Sequence, residues 1–361
     1  MLKKTTTFLL AILMLFTMAA CSTSTEQKTP DNADGGRIYV DMDGVQVTLP
    51  KEIKTVVDVW AANNQVLVLL GVQDRLVGTI SSVQTVPWMQ KLNPAITDIP
   101  SLIENDKINV EEMLKVKPDV IIVNDRDVEG ARSTGIPTVN LHFDDFDGLK
   151  EMIEKTAEIF GEEQMAIAKK FNEYFQANRD RLKKVANTIP EEERKVVLYV
   201  RSGSTSAVQT DGKDTMASEW IEAVGGINAA SAAGIESFGK EMSVEEILAQ
   251  NPDVVIIQDS ANALSLRDEI KNNPTWAEVT AVKENKLFIN PNGVFYWDRY
   301  SAEEAMQILW AAVAVYPEYF TDIEIVKETQ NFYKTFFYYD LTQEEANEIL
   351  KTEENADAFQ N

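Results

Sequence analysis

Hydrophobic residues recur along the chain in two alternating patterns, which predict strands and helices following one another. Short apolar runs such as TVVDVW at 55–60 and KVVLYV at 195–200 predict buried strands. Longer stretches with apolar residues near helical spacing, such as NNQVLVLLG at 63–71, predict the helices between them. This alternation is typical of a parallel α/β sheet, because each parallel strand needs a crossover before the next. Alternating residues on both sides of Asp43-Gly44 predict a β-hairpin before the first buried strand.

One helix-turn-strand pattern is present twice. The stretches VEEMLKVKPDVIIVND at 110–125 and VEEILAQNPDVVIIQD at 244–259 are identical at nine of sixteen aligned positions. Each copy has an N-cap residue, a glutamate at the capping-box position and a proline that ends the helix: Asn109, Glu112 and Pro118 in the first, and Ser243, Glu246 and Pro252 in the second. The repeat predicts two α/β lobes built on one plan.

The segment from 146 to 188 has no strand pattern, and its apolar residues recur near helical spacing. We therefore predict an N-terminal α/β lobe at 37–145, a linker helix at 146–190 and a C-terminal α/β lobe with a helical tail at 191–355. Within the linker, Gly161 separates a shorter helix from a long one. The predicted fold class is α/β, with two Rossmann-like lobes whose parallel sheets are joined by a single long helix.

The first residues predict export and a lipid anchor. An apolar run, FLLAILMLFTMAA, follows two lysines, is too short to span a bilayer comfortably, and ends at Cys21, the only cysteine. Residues 1–20 resemble a bacterial lipoprotein signal peptide, with Cys21 as the lipidated first residue of the mature chain. The alternative is an ordinary secretory signal followed by an incidental cysteine. Residues 21–36 are polar and predict a flexible tether.

Charge and composition exclude several classes of function. The chain carries 34 basic and 58 acidic residues, a net charge of −24, which disfavours nucleic-acid binding. Phosphate-binding glycine motifs and the G-x-S-x-G motif are absent from the sequence, so an enzyme is not predicted. With one histidine, His142, a multi-histidine metal cage is disfavoured, and we expect a structural role for that residue and neither a metal nor a cofactor.

The residues that follow the predicted strands are the candidates for ligand contacts, because ligands bind outside the carboxyl ends of parallel strands. The loop PNGVFYWDRY at 291–300 is especially rich in aromatic residues, which can pack against a flat ligand while arginine pairs with its anionic groups. Alternatively, Tyr296 and Trp297 plug the base of the lobe and Asp298 pairs with Arg299. The candidate residues are Trp60, Ser82, Gln84, Trp88, Arg126, Arg201, Tyr296, Trp297 and Arg299.

Two further residues, Glu111 and Glu245, are candidates for a docking function. They lie at the second helical position of each repeat. The capping box does not need them. One interpretation is that they interact favourably with the helix dipole. The other is that an equivalent acid on each lobe provides a two-point docking surface.

The motifs VDMDGVQVTLP, the paired repeat, GEEQMAIAKKFNEYF and WAEVTAVKENKLFIN together resemble the iron-complex and cobalamin class of ABC-transporter solute-binding proteins, over residues 38 to 350. The resemblance implies a monomer with a cleft between two lobes, a rigid connecting helix and small closure on ligand binding. It also implies delivery to an ABC permease dimer and its ATPase, at the extracytoplasmic face of the cell membrane. In cobalamin-binding relatives one acid per lobe meets arginines of the permease, and Glu111 and Glu245 match those positions.

The ligand is left open by this resemblance. The aromatic and arginine residues favour a small-molecule metal chelate, above all a ferric siderophore. Haem, cobalamin and molybdate or tungstate are the alternatives, as is a ligand sensor in place of an importer component. An enzyme or assembly factor on a nitrogenase-like two-lobe fold is disfavoured by the lipid anchor and the lack of cluster-ligating cysteines.

Overall fold

The computed structural model describes residues 35–105 and 107–360. The predicted signal peptide, Cys21 and all of the predicted tether except its last two residues lie outside that part. The elements of the N-terminal lobe are β1 (Arg37–Val40), β2 (Gln46–Leu49), β3 (Val56–Asp58), α1 (Ala61–Leu69), β4 (Leu76–Gly78), α2 (Ser81–Gln84), α3 (Pro87–Leu92), β5 (Ile103–Glu104), β6 (Lys107–Ile108), α4 (Val110–Val116), β7 (Val120–Val123), α5 (Val128–Arg132) and β8 (Thr138–Asn140).

Two helices connect this lobe to the second one, α6 (Phe146–Phe160) and α7 (Glu162–Ala186). The C-terminal lobe and tail comprise β9 (Val196–Val200), β10 (Ser202–Gly203), β11 (Ala207–Thr210), α8 (Met216–Ala223), β12 (Ile227–Asn228), α9 (Ala229–Ala232), β13 (Lys240–Ser243), α10 (Val244–Gln250), β14 (Val254–Ile257), α11 (Ala263–Asn272), α12 (Thr280–Lys283), β15 (Leu287–Ile289), α13 (Glu304–Val315), α14 (Ile325–Phe336), α15 (Gln343–Ile349) and α16 (Ala356–Phe359).

The central sheets of the two lobes have equivalent topologies. Four parallel strands lie in the order β4-β3-β7-β8 in the first lobe and β12-β9-β14-β15 in the second. In each sheet the second strand along the chain pairs on one side of the first strand, and the later strands pair on its other side. The strand order therefore reverses between β3 and β7 in the first lobe and between β9 and β14 in the second. The predicted hairpin is also present, as the antiparallel pair β1 and β2. The predicted fold class, with two lobes of parallel sheet, is confirmed.

The repeat produces the same local structure twice, with one difference. Both helices, α4 and α10, end at a left-handed residue before the proline, Lys117 with φ +48° and Asn251 with φ +45°. The predicted capping box is complete in α10 only. In the first copy the Asn109 side chain still accepts from the N–H of Glu112, but the Glu112 carboxylate pairs with Lys115 at 2.7 Å instead. The prediction of a capping box in both copies was therefore wrong for the first.

Each central strand is buried on both faces. In β7, Val120 and Ile122 pack into the core that the sheet shares with the connecting helices, whereas Ile121 and Val123 pack into an outer core of the lobe. Strand β14 repeats this alternation. Burial on both faces explains why these strands appear in the sequence as continuous apolar runs.

The connection between the lobes is an antiparallel pair of helices that turns at Gly161, where φ is +121°. Lys150 of α6 donates to Gln176 of α7 at 3.0 Å, and Arg179 pairs with Asp147 at 2.9 Å. The split at Gly161 is confirmed, and the 25 residues of α7 form the long helix that continues onto the second lobe.

The helical tail contacts the connecting helices and returns to the first lobe. The rings of Phe332 and Phe336 pack against Phe171 of α7. Further along, the Tyr338 hydroxyl donates to the carbonyl of Leu69 at 3.2 Å. One hydrophobic core therefore runs through both lobes, the connecting helices and the tail. Among residues 35–105 and 107–360, no helix has the length and hydrophobicity that a transmembrane span requires.

Candidate ligand-binding cleft

The cleft contains a cavity of about 450 Å³ whose walls come from both lobes. It lies beyond the carboxyl ends of the strands, where α/β sheets bind ligands. Its first wall is formed by the start of α1 and by α2 and α3: Ala61, Ser82, Val83, Thr85, Val86, Pro87 and Met89. Its second wall is formed by the loop after β15: Asn292, Val294, Phe295 and Tyr296. Most of these side chains are apolar, and the volume suits a small organic ligand.

Aromatic residues bridge the lobes next to this cavity. The Phe143 ring, which follows β8, lies 5.9 Å from Trp60 and 5.5 Å from Tyr300 of the second lobe. Deeper between the lobes, the Ser301 hydroxyl donates to the side-chain oxygen of Gln65 at 3.1 Å. The lobes therefore make direct contact in this structure.

The second lobe contributes two arginines to the cleft. The Arg299 guanidinium lies 4.5 Å from the centre of the Tyr296 ring and donates to the side-chain oxygen of Gln258. Arg201 forms an ion pair with Asp211 at 3.0 Å. The acceptor for Arg299 is a neutral amide, so its positive charge stays available to an anionic group of a ligand.

Asp298 does not form the hydrogen-bonded pair with Arg299 that the alternative interpretation assumed. It is fully buried, and its Oδ2 accepts from the Tyr199 hydroxyl at 2.5 Å. Burial raises the pKa of Asp298, although the charge of Arg299 and the hydrogen bond from Tyr199 oppose this rise.

The loop after β3 is held by a buried carboxyl group, Asp58. This side chain accepts from the backbone N–H of Trp60 at 3.0 Å and from the amide of Asn63 at 2.8 Å. These bonds fix the turn that presents Trp60 to the cleft. Burial raises the pKa of Asp58 to about 8, despite the opposing hydrogen bonds from Asn63 and Trp60.

Because the carboxyl groups of Asp58 and Glu303 are buried, we expect the stability of the fold to depend on pH. Burial also raises the pKa of Glu303, to about 7. The folded chain therefore keeps protons on Asp58 and Glu303 that the unfolded chain releases at their ordinary pKa values of 3.8 and 4.5. We expect the free energy of unfolding to fall as pH rises from 5 to 8 and to flatten above that range. Thermal melts at constant ionic strength measure this, and an unchanged slope in Asp58→Asn would contradict the assignment.

Six of the nine residues predicted to contact ligand lie at the cleft or beside it. Trp60 is part of the aromatic bridge, Ser82 and Tyr296 line the cavity, and Arg201 and Arg299 lie on the second lobe. Arg126 is exposed in the loop after β7, at the point where the strand order reverses. Contact of these residues with a ligand stays a prediction.

The other three predicted residues, Gln84, Trp88 and Trp297, have structural roles here. Gln84 donates its side-chain amide to the backbone carbonyls of Ile96 and Ile99, at 3.0 and 2.7 Å. Trp88 is 6% exposed, since its ring packs against Tyr333 and Tyr339 of the tail. These contacts lead us to withdraw Gln84 and Trp88 from the proposed site.

Trp297 has no exposed surface, and its indole N–H donates to Glu303 at 2.8 Å. The same carboxylate accepts from the backbone N–H of Phe295 at 2.9 Å and from the Tyr333 hydroxyl. The alternative interpretation, in which Trp297 plugs the base of the lobe, therefore agrees with this structure. Trp297 supports the cavity wall from behind and is also withdrawn from the site.

Three aromatic residues of the cleft were not among the predicted contacts: Phe143, Phe238 and Tyr300. Phe238 is 57% exposed and lies 5.9 Å from the Arg201 guanidinium. It occurs in a segment without a strand or helix pattern, so the sequence offered no signal for it. Tyr300 is the last residue of the aromatic-rich loop at 291–300, so the sequence did offer a signal for it. Phe143 directly follows His142, in the segment after a strand where ligand contacts are expected.

Glu111 and Glu245 are both exposed, at the N-termini of α4 and α10. Glu111 pairs with Lys115 at 3.0 Å, but both side chains are mostly solvent-accessible, so the pair contributes little stability. Since α4 and α10 each end where a central strand begins, their N-termini lie on the side of the carboxyl edges. The two acids therefore occupy equivalent positions on the side of the molecule where the cleft lies.

Comparisons with known proteins agree with this architecture. The family model described as "Periplasmic binding protein" matches residues 56–293. The molybdate-binding protein MolA of Haemophilus influenzae is 26% identical over 83% of this chain and 91% of its own length. The iron(3+)-hydroxamate-binding protein YxeB of Bacillus subtilis is 22% identical over 83% of this chain and 93% of its own.

Among solved structures, a periplasmic solute-binding protein from Veillonella parvula superposes with a TM-score of 0.76 at 26% identity, covering 89% of this chain and 98% of that one. These relatives are solute-binding proteins rather than enzymes. The resemblance drawn from the sequence motifs is confirmed: the chain belongs to the periplasmic binding protein family, the solute-binding proteins of ABC transporters.

Proposed function

We propose that this protein is a lipid-anchored, extracytoplasmic solute-binding protein that captures an anionic metal chelate, above all a ferric siderophore, and delivers it to an ABC importer. The observation that carries this proposal is the cavity between the lobes, whose largely apolar walls adjoin the Tyr296–Arg299 pair. Apolar walls suit the organic body of a chelate, and a guanidinium suits its carboxylate, hydroxamate or catecholate oxygens.

Charge supports the choice of an anionic ligand. The chain as a whole carries a net charge of −24, so its general surface repels anions. Within the cleft, Arg201 is paired with Asp211, whereas Arg299 donates to the neutral amide of Gln258 and is the arginine available to an anionic group. The relative YxeB is named as an iron(3+)-hydroxamate-binding protein, which supports a ferric chelate as the class of ligand.

Molybdate is the second candidate, because the relative MolA is named for it. A small oxyanion would need donors on several sides and would leave most of a cavity of about 450 Å³ unfilled. Quenching of intrinsic tryptophan fluorescence distinguishes the two, since Trp60 lies beside the cavity. A Trp60→Phe variant, which removes this reporter, serves as the control.

Arg299→Ala is expected to weaken ligand binding by about 1–3 kcal/mol, the usual cost of losing a charge-assisted contact. Arg194→Ala is the matched control, because Arg194 is an exposed arginine outside the cleft. Affinity is measured by titration of the ligand identified by fluorescence, beside the melting temperature of each variant. Equal ligand affinities of Arg299→Ala and Arg194→Ala would show that Arg299 does not contact the anionic group.

The lipid anchor is tested at Cys21. We expect Cys21→Ala to release the protein from the membrane fraction into the medium or periplasm, because the described residues contain no helix that could hold it there. Cell fractionation followed by immunoblotting measures the distribution. Retention of Cys21→Ala in the membrane fraction would contradict the lipid anchor. Release of both the wild type and the variant would favour the alternative of an ordinary signal and an incidental cysteine.

A further inference from the structure

Three potential metal ligands from separate segments meet at the rim of the first lobe. Asp43 lies in the turn between β1 and β2, Asp125 follows β7, and His142 follows β8. One ligand atom of each residue lies within 4.8 Å of those of the other two. The His142 Nε2 atom lies 3.4 Å from Asp43 Oδ1.

A buried amide closes the inner side of this group. Asn140, the last residue of β8, is 1% exposed, and its Nδ2 donates to Asp43 at 2.9 Å and to Asp125 at 2.5 Å. Its Oδ1 is buried and has no hydrogen-bond partner in the part of the chain that the structure describes. Through its Nδ2, Asn140 therefore holds the carboxylates of Asp43 and Asp125 next to each other.

The Asn140 amide brings two like-charged carboxylates together. A cation between them would balance their charges, and Asn140 would act as an outer partner that orients both ligands. The imidazole of His142 completes the group.

The geometry is held in place by a further carboxylate, Asp41, which fixes the hairpin turn to the sheet. Its Oδ1 accepts from the N–H of Val45 at 2.8 Å, and its Oδ2 pairs with Arg132 at 3.0 Å. The backbone N–H of Met42 also donates to the carbonyl of Asn140 at 3.2 Å. Asp43 is therefore positioned before any ion arrives.

We propose that Asp43, Asp125 and His142 bind a divalent cation of the zinc type, with the two carboxylates held in place by the Asn140 amide. One imidazole with oxygen ligands suits Zn²⁺ and related first-row ions, whereas Ca²⁺ and Mg²⁺ take oxygen ligands alone. The exposure of Asp43 and Asp125 gives the ion a path to the site.

The site lies beside the cleft but outside the cavity. Asp125 precedes Arg126, and His142 precedes Phe143 of the aromatic bridge. A bound ion would join the hairpin to the ends of β7 and β8 and would add positive charge near the entrance for an anionic ligand. Its existence does not depend on the identity of that ligand.

Titration with ZnCl₂ tests the proposal, using the mature chain without an affinity tag, so that His142 is its only histidine. We expect saturable binding of one Zn²⁺, monitored by competition with a chromogenic chelator. His142→Gln and Asp125→Asn should each weaken binding by about tenfold or more. Asp98→Asn, which alters an exposed acid outside the group, should leave it unchanged.

Cobalt(II) provides a second readout, because the position and intensity of its visible absorption depend on its ligands and their number. Wild type and His142→Gln should give different cobalt spectra, with both proteins melting at the same temperature without metal. The proposal is overturned if saturable binding is absent. It is equally overturned if His142→Gln binds Zn²⁺ as tightly as wild type does.

Discussion

Replacing Trp297 by alanine is expected to lower the free energy of unfolding by about 3–5 kcal/mol, the range for truncating a large buried aromatic residue. Trp297 has no exposed surface, so its removal leaves a cavity in the core. It also removes one of the three donors to the buried carboxylate of Glu303. Both effects lower the free energy of unfolding.

Trp297→Phe separates these effects, because it keeps most of the ring and removes the N–H. We expect it to cost about 1–3 kcal/mol, because it removes one hydrogen bond to a buried carboxyl group. Chemical denaturation measures both variants. The structural role assigned to Trp297 would be contradicted by an alanine variant that melts normally but binds ligand less tightly.

The second large effect is expected in transport. We predict that the double variant Glu111→Lys, Glu245→Lys loses most uptake while its ligand affinity stays that of wild type. The two acids lie at equivalent helix N-termini of the two lobes, and both are exposed. We propose that these acids dock onto arginines of the permease, as the resemblance to cobalamin-binding proteins implies. Charge reversal would place lysines opposite those arginines, which adds repulsion to the loss of attraction.

The folding cost of this change should stay small. Each acid contributes at most about 1 kcal/mol through the helix dipole. The matched control is Glu173→Lys, Glu344→Lys, since Glu344 has the same second position in a capped helix but lies outside the repeat. Uptake by whole cells or proteoliposomes is compared with binding in solution. Full uptake by the first double variant would leave only the helix-dipole interpretation.

The fold could be predicted because its determinants are local. Buried parallel strands appear as short apolar runs, and the repeat fixes the equivalence of the lobes. The incomplete capping box of α4 shows a feature that the local sequence does not determine. The Glu112 carboxylate pairs with Lys115, and the N–H of Asn109 donates to Leu102, a contact that depends on the preceding loop.

The candidate site was predicted less completely, because burial depends on distant residues. Trp88 follows a strand, as a ligand contact should, but the tail covers it from more than two hundred residues away. The loop at 291–300 points Tyr296 towards the cavity and Trp297 into the core, so neighbouring rings have opposite roles. The group formed by Asp43, Asp125 and His142 likewise joins three separate segments, and no spacing in the sequence reveals it.

The most direct test of the central claim is calorimetric titration of the mature protein with a ferric siderophore, the same siderophore without metal, and molybdate. We predict saturable binding of one ferric complex, weaker binding of the metal-free form, and a negative heat-capacity change as the apolar walls of the cavity are buried. Saturable binding of molybdate without a response to any ferric complex would contradict the account.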